Sequence, residues 1–253
     1  MANGFVWYEL MTTDPVAATA FYTRVVGWTA ESAPQPGMDY TLLKSGGANA
    51  AGLMPMPKEA CDAGARPGWI GYVGVDDVAA MLGRVTAAGG SVHRPVTPIP
   101  GIGQFAIVAD PHGALFCLFQ PGGPGPATPA PNTPGTIGWH ELMAGDGDKA
   151  FAFYSGLFGW TRDEAIDMGP MGRYQLFAVD GQVIGGMMTK PAQVPVPCWG
   201  YYFRVDGIGP ALERLKSGGA TVVNGPMEVP GGDWIVQAMD PQGAMFALVG
   251  PKG

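Results

Sequence analysis

Alternating and helical apolar patterns follow one another in a regular order along the first half of the chain. Phe5 to Met11 alternates as a strand does, and Thr13-Asp14-Pro15 forms a helix cap ahead of apolar residues at helical spacing. Three short apolar segments follow, and the same succession then begins again. The predicted strands span residues 5–11, 28–32, 40–44, 48–54, 70–75, 91–94, 104–109 and 115–120, and the second helix runs from residue 76 or 77 to about 88. The pattern predicts two βαβββ modules.

The second half repeats the first. Trp7-Tyr8-Glu9-Leu10-Met11, Phe21-Tyr22 and Gly27-Trp28 recur 132 positions later as Trp139-His140-Glu141-Leu142-Met143, Phe153-Tyr154 and Gly159-Trp160. Further along, the turn Asp110-Pro111-x-Gly113 recurs 130 positions later as Asp240-Pro241-x-Gly243. A repeat at a fixed period predicts a duplicated architecture, here four modules, and the two-residue change in spacing belongs in a loop between strands.

A segment rich in proline and glycine separates the two copies. Residues 121–135 carry prolines at a density that neither a helix nor the interior of a sheet accepts, and they favour an extended spacer. We therefore predict a first domain over residues 1–120, a linker over 121–135 and a second domain over 136–253.

These motifs together resemble the vicinal oxygen chelate superfamily, which includes glyoxalases, bleomycin-resistance proteins and extradiol dioxygenases. The resemblance rests on Phe-Tyr and Gly-Trp after the first strand, Val-Asp before the second helix, paired glycines at its end, and the Asp-Pro-x-Gly turn. It covers nearly the whole chain outside the linker. It implies an α+β fold in which four βαβββ modules form two tandem domains, each with a cupped mixed sheet around a small-molecule cavity.

The resemblance also implies where metal-dependent members hold a divalent ion. Their ligands are His, Gln or Glu side chains from the first and last strand of each module. The matching positions here are Trp7, Leu53 or Met54, Ile70 and Cys117, and then Trp139, Met187 or Met188, Gly200 and Ala247. None of these side chains is an imidazole or an oxygen ligand, so we expect no metal or other cofactor, with a divalent metal as the alternative.

The histidines lead to the same expectation, because the chain has only three. His93 is expected at a helix-to-strand connection or at a strand end, and His112 is expected at the exposed tip of the Asp-Pro-x-Gly turn. His140 stands between Trp139 and Glu141, and alternation turns its side chain away from both. Two histidines and a carboxylate are therefore difficult to bring together within one domain.

Two carboxylates are the candidate catalytic groups. Alternation places Glu9 on one strand face with Trp7 and Met11, and the repeat gives Glu141 the same surroundings. A carboxylate among large apolar side chains is suited to general acid or base chemistry, or to binding a cation. The alternative is a structural role, in which both carboxylates accept hydrogen bonds from backbone, Tyr or Trp donors.

Aromatic and thioether side chains are the candidate ligand-binding groups. They are Trp7, Met54, Trp69 and Tyr72 in the first domain, and Trp139, Met187, Trp199 and Tyr202 in the second. Such a lining favours an apolar or aromatic ligand, although the same residues are also typical of an ordinary core. Arg173 and Arg204 have no counterpart in the first half, so anion recognition would belong to the second domain alone.

Composition excludes several function classes. The formal charge is −7 and no basic run occurs, which argues against nucleic acid as a partner. No apolar run approaches the length of a membrane span, and the amino-terminal residues do not resemble a secretory signal, so we expect a cytoplasmic protein. The three separated cysteines suggest neither disulfides nor a zinc motif. The paired domains predict either a monomer or a homodimer.

Three functional hypotheses follow. The first is a protein that binds or sequesters an apolar or aromatic small molecule, or a metal-independent enzyme that acts on one. The second is a metal-dependent glyoxalase-like lyase, or a dioxygenase or hydroxylase, with Glu9 or Glu141 as one ligand. The third is a structural or interaction protein whose cavities are vestigial and filled by side chains.

Overall fold

A computed structural model describes residues 3–33, 38–125 and 128–253 of the chain. The first half contains β1 (Phe5–Thr12), α1 (Pro15–Val26), β2 (Thr29–Ser32), β3 (Thr41–Ser45), β4 (Ala48–Pro55), α2 (Lys58–Asp62), β5 (Gly68–Gly74), α3 (Val78–Ala87), β6 (Ser91–Ile99), β7 (Gly103–Ala109) and β8 (Leu115–Pro121). The second half contains β9 (Ile137–Ala144), α4 (Gly147–Phe158), β10 (Thr161–Asp167), a 3-10 turn (Gly169–Met171), β11 (Arg173–Val179), β12 (Gln182–Thr189), β13 (Cys198–Arg204), α5 (Ile208–Ser217), β14 (Thr221–Glu228), β15 (Trp234–Met239) and β16 (Met245–Gly250). The order confirms the predicted α+β fold of four βαβββ modules. The short helix α2 was not predicted.

The predicted helix caps are present. The Asp14 carboxylate accepts a hydrogen bond from the backbone N–H of Ala17 at 2.9 Å, and Pro15 occupies the first turn of α1. Helix α1 ends at Val26, and the next residue, Gly27, caps it with a φ of 87°, in the left-handed region that favours glycine. The Asp77 carboxylate caps α3 in the same way through the N–H of Ala80.

The strands form two mixed sheets of eight strands each. The first has the order β2-β3-β4-β1-β5-β8-β7-β6, and the second has the order β10-β11-β12-β9-β13-β16-β15-β14. The first strand of each module is parallel to the last strand of that module, as β1 is to β4 and β9 is to β12, while the consecutive strands β2, β3 and β4 are antiparallel. The same strand arrangement therefore appears in both halves, as the repeat predicts.

Burial alternates along the first strand of each half. On β1, Leu10 and Thr12 are fully buried, whereas Trp7, Glu9 and Met11 are half-buried. We call the side of β1 and β4 that carries Trp7, Glu9 and Met11 the Glu9 face, and the opposite side the core face. On β9 and β12 the equivalent side, with Trp139, Glu141 and Met143, is called the Glu141 face. The predicted sharing of one face by each of these trios is confirmed.

The described residues group into two compact units that each combine modules from both halves. Unit 1 comprises residues 3–6, 70–125 and 140–200, and unit 2 comprises residues 7–33, 38–69, 128–139 and 201–253. Within unit 2, helix α1 contacts α5, and within unit 1, α3 contacts α4. The helices of the first and fourth modules therefore pack together, and so do the helices of the second and third modules.

An aromatic cluster forms the core of each unit. In unit 2, the rings of Tyr22, Trp28 and Trp69 pack against Phe203 and Phe246, with ring centroids 4.8 to 6.2 Å apart for the closest pairs. The corresponding cluster of unit 1 contains Phe116, Tyr154, Trp160, Phe177 and Trp199. Such ring pairs contribute beyond their buried area, so these clusters are a main source of stability.

A buried tyrosine in each cluster binds the turn that contains Asp-Pro-x-Gly. In unit 2, the indole N–H of Trp69 donates to Tyr22 Oη at 2.9 Å, and the Tyr22 hydroxyl donates to Asp240 Oδ2 at 3.0 Å. In unit 1, Trp199 donates to Tyr154 at 3.0 Å, and Tyr154 Oη lies 3.5 Å from Asp110 Oδ2. The turn aspartates are therefore held by a side chain from the other half of the sequence.

The end of the proline-rich segment is anchored within unit 2. The indole N–H of Trp28 donates to the Gly135 carbonyl at 2.8 Å, and the Ser45 hydroxyl donates to the Pro134 carbonyl at 2.6 Å. Gly135 has a φ of 83°, and a Cβ there would lie 2.8 Å from the Ser45 side chain. Residues 126 and 127 of the predicted linker lie outside the described residues.

His112 departs from its predicted position at an exposed turn tip. Its side chain is half-buried, and a Cβ built on Gly145 would lie 2.7 Å from the Cβ of His112. Its Nδ1 is buried without a hydrogen-bond partner among the described residues. The turn is covered because it packs against the loop between β9 and α4, which the sequence pattern does not indicate.

No helix in the described parts of the chain is long and apolar enough to cross a membrane.

Candidate functional site

The Glu9 face brings a carboxylate, an indole and two thioethers together. In the parallel pairing of β1 with β4, Glu9 lies opposite Gly52, and Met11 lies opposite Met54. Since opposite residues in a sheet point to the same side, Met54 shares this face as predicted. Trp7 lies two residues before Glu9 on the same side of β1.

Tyr40 completes this arrangement. The indole N–H of Trp7 donates to Tyr40 Oη at 3.1 Å, and the Tyr40 hydroxyl donates to Glu9 Oε2 at 2.9 Å. The phenol ring lies directly over Gly52, and a Cβ on Gly52 would overlap the Tyr40 hydroxyl. Glycine at position 52 therefore leaves the space in which Tyr40 reaches Glu9.

The electrostatics of this group keep Tyr40 protonated. Burial of the phenol raises the pKa of Tyr40 well above its ordinary value, and the negative charge of Glu9 raises it further. Tyr40 is thus a neutral hydrogen-bond donor, and its hydroxyl holds Oε2 of the Glu9 side chain in place. The arrangement can hold a carboxyl group beside an apolar ligand. It is also compatible with a purely structural role for Glu9, because a tyrosine donates a hydrogen bond to this side chain.

The Glu141 face repeats the main features. Glu141 lies opposite Gly186, and Met143 lies opposite Met188. The ring of Tyr174 covers Gly186 so closely that a Cβ there would overlap it. Each half therefore has a tyrosine twelve residues before the glycine that faces its glutamate. Sequence reasoning missed Tyr40 and Tyr174, although this common spacing was a visible signal.

The surroundings of Glu141 also contain a thiol. Cys198 lies at the start of β13, two residues before Gly200, and a Cβ on Gly200 would lie 3.9 Å from the Cβ of Glu141. Burial raises the pKa of the Cys198 thiol, and the charge of Glu141 raises it further. The thiol is therefore protonated near neutral pH and is a weak nucleophile.

Three predicted ligand-binding residues lie in the core. Trp69 and Trp199 are buried and donate hydrogen bonds to the core tyrosines of their units. Met187 lies opposite Leu142 on the buried side of β9 and β12, and Met188 takes the place beside Met143. Alternation already separates Trp69 from Tyr72, because odd and even positions of a strand face opposite sides. We do not carry these three residues into the proposed site.

Tyr72 and Tyr202 occupy equivalent positions in β5 and β13. The Tyr72 ring lies 6.0 Å from that of Phe105 and 6.4 Å from that of Phe119. Tyr202 packs with Trp139 and accepts a hydrogen bond from Gln237 at 2.6 Å. Both tyrosines are therefore buried; Tyr72 contacts two rings, and Tyr202 accepts a hydrogen bond from an amide.

The two unmatched arginines are both paired with carboxylates. Arg204 Nη1 lies 2.7 Å from Asp233 Oδ2 in a partly buried pair. Arg173 forms an exposed pair with Asp148, which also contacts Arg162. These pairings partly neutralise the charges that anion recognition in the second half would use.

His140 is buried on the core side of β9, as alternation predicted. Its Nδ1 lies 2.8 Å from the carbonyl oxygen of Ile184, and its ring stacks on Phe5 with centroids 4.4 Å apart. Burial lowers the pKa of His140 to about 4, which outweighs the opposing effect of the carbonyl hydrogen bond. The imidazole is neutral near pH 7 and is part of the packing.

The residues on these faces do not fit a divalent metal. In residues 3–33, 38–125 and 128–253, no three His, Cys, Asp or Glu side chains come together as a metal-binding group would. Each face offers one carboxylate accompanied by indole, phenol and thioether groups, which are poor ligands for the hard cations that carboxylates prefer, and the Glu141 face adds only the single soft thiol of Cys198.

Two surface hollows lie away from both glutamates. One, of about 360 Å³, is lined by α3 and α4 residues including Arg84 and Phe153. The other, of about 460 Å³, follows the turn between β6 and β7 near Gln104 and Gln120. Both are open to solvent and hold no titratable cluster, so we do not assign the site to them.

Sequence comparison identifies the family. A sequence model of the Glyoxalase/Bleomycin resistance protein/Dioxygenase superfamily matches residues 4–118 and again residues 136–248. The chain is 32% identical over 247 residues to CFP32 of Mycobacterium tuberculosis, provisionally named a glyoxylase, covering 97% of this chain and 94% of that protein. It is 30% identical over 256 residues to the anthracycline biosynthesis protein DnrV of Streptomyces peucetius, covering 96% and 91%.

Structural comparison agrees with the sequence matches. The Mn(II)-bound glyoxalase from Novosphingobium aromaticivorans superimposes with a TM-score of 0.70 at 17% identity, covering all of this chain and 83% of the other. At this identity the similarity establishes the fold alone.

Proposed function

Because the chain belongs to the Glyoxalase/Bleomycin resistance protein/Dioxygenase superfamily, we propose that it binds an apolar or aromatic small molecule. The protein either sequesters this ligand or acts on it without a metal. The superfamily and its structural neighbours support a small-molecule ligand, and the side chains of this chain support its apolar character. The name of the relative DnrV, an anthracycline biosynthesis protein, is consistent with a planar polycyclic ligand.

The hydrogen-bonded group of Trp7, Tyr40 and Glu9 is the observation that carries this proposal. It lies on a strand face that is only half-buried, beside the thioethers of Met11 and Met54. Rings and thioethers bind flat apolar surfaces well, while one oriented carboxylate supplies a polar contact that fixes the ligand.

The same group gives a metal-independent enzyme its reactive residue. Tyr40 holds one oxygen of the Glu9 carboxylate, so the carboxylate is oriented before a ligand arrives. In a ligand complex that excludes water, Glu9 would take a proton from an acidic C–H or O–H of the ligand. In a sequestering protein, the same carboxylate would accept a hydrogen bond from the ligand.

Calorimetric titration with soluble planar polycyclic aromatics, supported by thermal-shift measurements, tests the proposal. We expect binding by the wild-type protein and a loss of roughly tenfold in affinity for Tyr40→Phe, since one hydrogen bond to the oriented carboxylate is worth about 1–1.5 kcal/mol. The matched control is Tyr8→Phe, which removes a hydroxyl from the core face of the same strand and should leave affinity within twofold. Absence of binding by every aromatic compound would refute the proposal.

The competing hypothesis is a metal-dependent lyase, dioxygenase or hydroxylase that uses Glu9 or Glu141 as one ligand. Elemental analysis after expression with added Fe, Ni, Zn or Mn separates the two. Stoichiometric metal that is lost in Glu9→Gln or Glu141→Gln would favour the competing hypothesis, whereas less than about a tenth of an equivalent would remove it.

We further propose that the protein is located in the cytoplasm, which cell fractionation checks. It is expected to be a monomer with paired halves or a homodimer, and light scattering of the purified chain distinguishes these states.

A further inference from the structure

A row of polar side chains crosses the outer strands of the fourth module. Tyr202 on β13 and Gln237 on β15 both lie opposite Ala247 of β16, and Asn224 on β14 lies opposite Gln237. Asn224 Nδ2 donates to Gln237 Oε1 at 3.1 Å, and Gln237 Nε2 donates to Tyr202 Oη at 2.6 Å. The four side chains therefore share one side of the sheet, and three are joined by hydrogen bonds.

This row ends at the surface. Tyr202 is buried, Gln237 is half-buried and Asn224 is exposed. Because Tyr202 Oη accepts from Gln237, it fixes the orientation of the Gln237 amide, and Gln237 in turn holds the Asn224 amide. The two amides thus reach solvent in a defined orientation, with Tyr202 as a positioning residue.

An apolar surface lies next to the amides. Trp139 and Ile235 are half-buried and pack against Tyr202, Ala247 and Val249. Ile235 lies two residues before Gln237 on β15, so both side chains point to the same side. We call the side that carries Asn224, Gln237 and Ile235 the amide face.

Among the described residues of the first half, the equivalent strands carry different side chains. The equivalent pairing on β5, β8, β7 and β6 contains Tyr72, Cys117, Ile107 and Arg94. Ile107 takes the place of Gln237, and the Arg94 guanidinium lies 5.3 Å from the centre of the Phe105 ring. An apolar residue and a cation therefore replace the two amides, so the equivalent faces of the two halves differ in chemistry.

We propose that the amide face binds an aromatic ligand that carries a ring carbonyl or phenol, with the ring against Trp139 and Ile235 and the oxygen on the amides of Gln237 and Asn224. An amide can donate to a carbonyl and accept from a phenol, so both oxygen types are suitable. This inference rests on the proposed function and adds a specificity for which the equivalent described positions of the first half lack the two amides.

Two probes that differ only in their oxygens test this proposal. They are 9,10-anthraquinone and anthracene, each carrying the same ammoniomethyl group at position 2, titrated calorimetrically into the full-length protein. We expect the wild-type protein to prefer the anthraquinone. Gln237→Ile should weaken anthraquinone binding about tenfold and leave anthracene binding within twofold, because only the former loses a hydrogen bond.

A second variant and a control guard against misfolding. Tyr202→Phe keeps the ring but frees the Gln237 amide, and we expect it to lower the ratio of the two affinities about threefold. The control is Gln104→Ile. Gln104 lies on β7, the strand equivalent to β15, and its amide donates a hydrogen bond to Gln120 Oε1 at 2.9 Å. Its replacement should leave the ratio unchanged.

The outcomes separate this inference from the proposed function. If neither probe binds, the proposed function fails. A second outcome is that both probes bind, but Gln237→Ile and Tyr202→Phe leave the affinity ratio as in the wild type or lower both affinities equally. In that case the amides do not form hydrogen bonds with the ligand oxygens, and this inference is wrong.

Discussion

Acidification should weaken the fold through His140, because this imidazole is buried in its neutral form. The pKa of His140 is lowered to about 4 by burial, whereas an unfolded histidine titrates near 6.5. Between these values the unfolded chain binds more protons than the folded one. The contribution of the neutral imidazole to the free energy of unfolding is therefore present above about pH 6.5 and is lost as the pH drops toward 4. Linkage gives a loss of about 1 kcal/mol between pH 7 and 5.5, and about 3 kcal/mol below pH 4.

The measurement is urea unfolding followed by tryptophan fluorescence, at pH 7 and at pH 5.5, for the wild-type protein and for His140→Asn. The variant keeps an N–H donor for the Ile184 carbonyl but has no titrating group at position 140. Its absolute stability should fall because it loses the stacking on Phe5. The change in its unfolding free energy between pH 7 and pH 5.5 should be smaller than that of the wild type by about 1 kcal/mol.

Comparison of the two proteins removes the titration of all other groups, since these are common to both. Equal pH dependence in wild type and variant would refute the reasoning, because it would mean that His140 binds a proton as readily in the folded state as in the unfolded one. A lower stability of the variant at both pH values, without a change in slope, reports only the packing.

Two further predictions concern the tyrosines. Gly52→Ala should displace Tyr40 and weaken binding of the aromatic probes by at least as much as Tyr40→Phe does. The control is Gly83→Ala, in open space on α3, which should leave probe affinity unchanged. Unchanged probe affinity for Gly52→Ala would contradict the role given to this glycine. Tyr22→Phe should lower the unfolding free energy by about 1–3 kcal/mol, because the buried Asp240 carboxylate loses a donor, and a melting temperature within 1 °C of wild type would contradict this.

Most of the fold could be predicted from the sequence because its signals are local or repeated. The cap at Asp14, the stop at Gly27 and the alternation of β1 each depend on a few neighbouring residues, and the second copy shows each signal again. The helix α2 was missed because five residues, Lys58–Asp62, are too short to show a period. The burial of His112 was missed because it depends on contact with a distant loop.

The candidate site was predicted in part. Trp7, Glu9 and Met54 could be grouped because strand alternation and the family resemblance place them on one side. Tyr40 was missed because its partner, Glu9, is 31 residues away and is reached only through the space above Gly52. Which of two adjacent residues faces a ligand, as for Met187 and Met188, depends on strand register, and that is fixed by pairing rather than by composition.

The exchange of partners between the halves affects how the polypeptide can be divided. Tyr22 donates to Asp240, and Tyr154 faces Asp110. Cleavage of the proline-rich segment would therefore leave each fragment with one core tyrosine whose acceptor is on the other fragment. Neither piece can complete its aromatic cluster alone. Co-expressed fragments should therefore reassociate into a native-like complex, whereas either one by itself should expose apolar surface and aggregate.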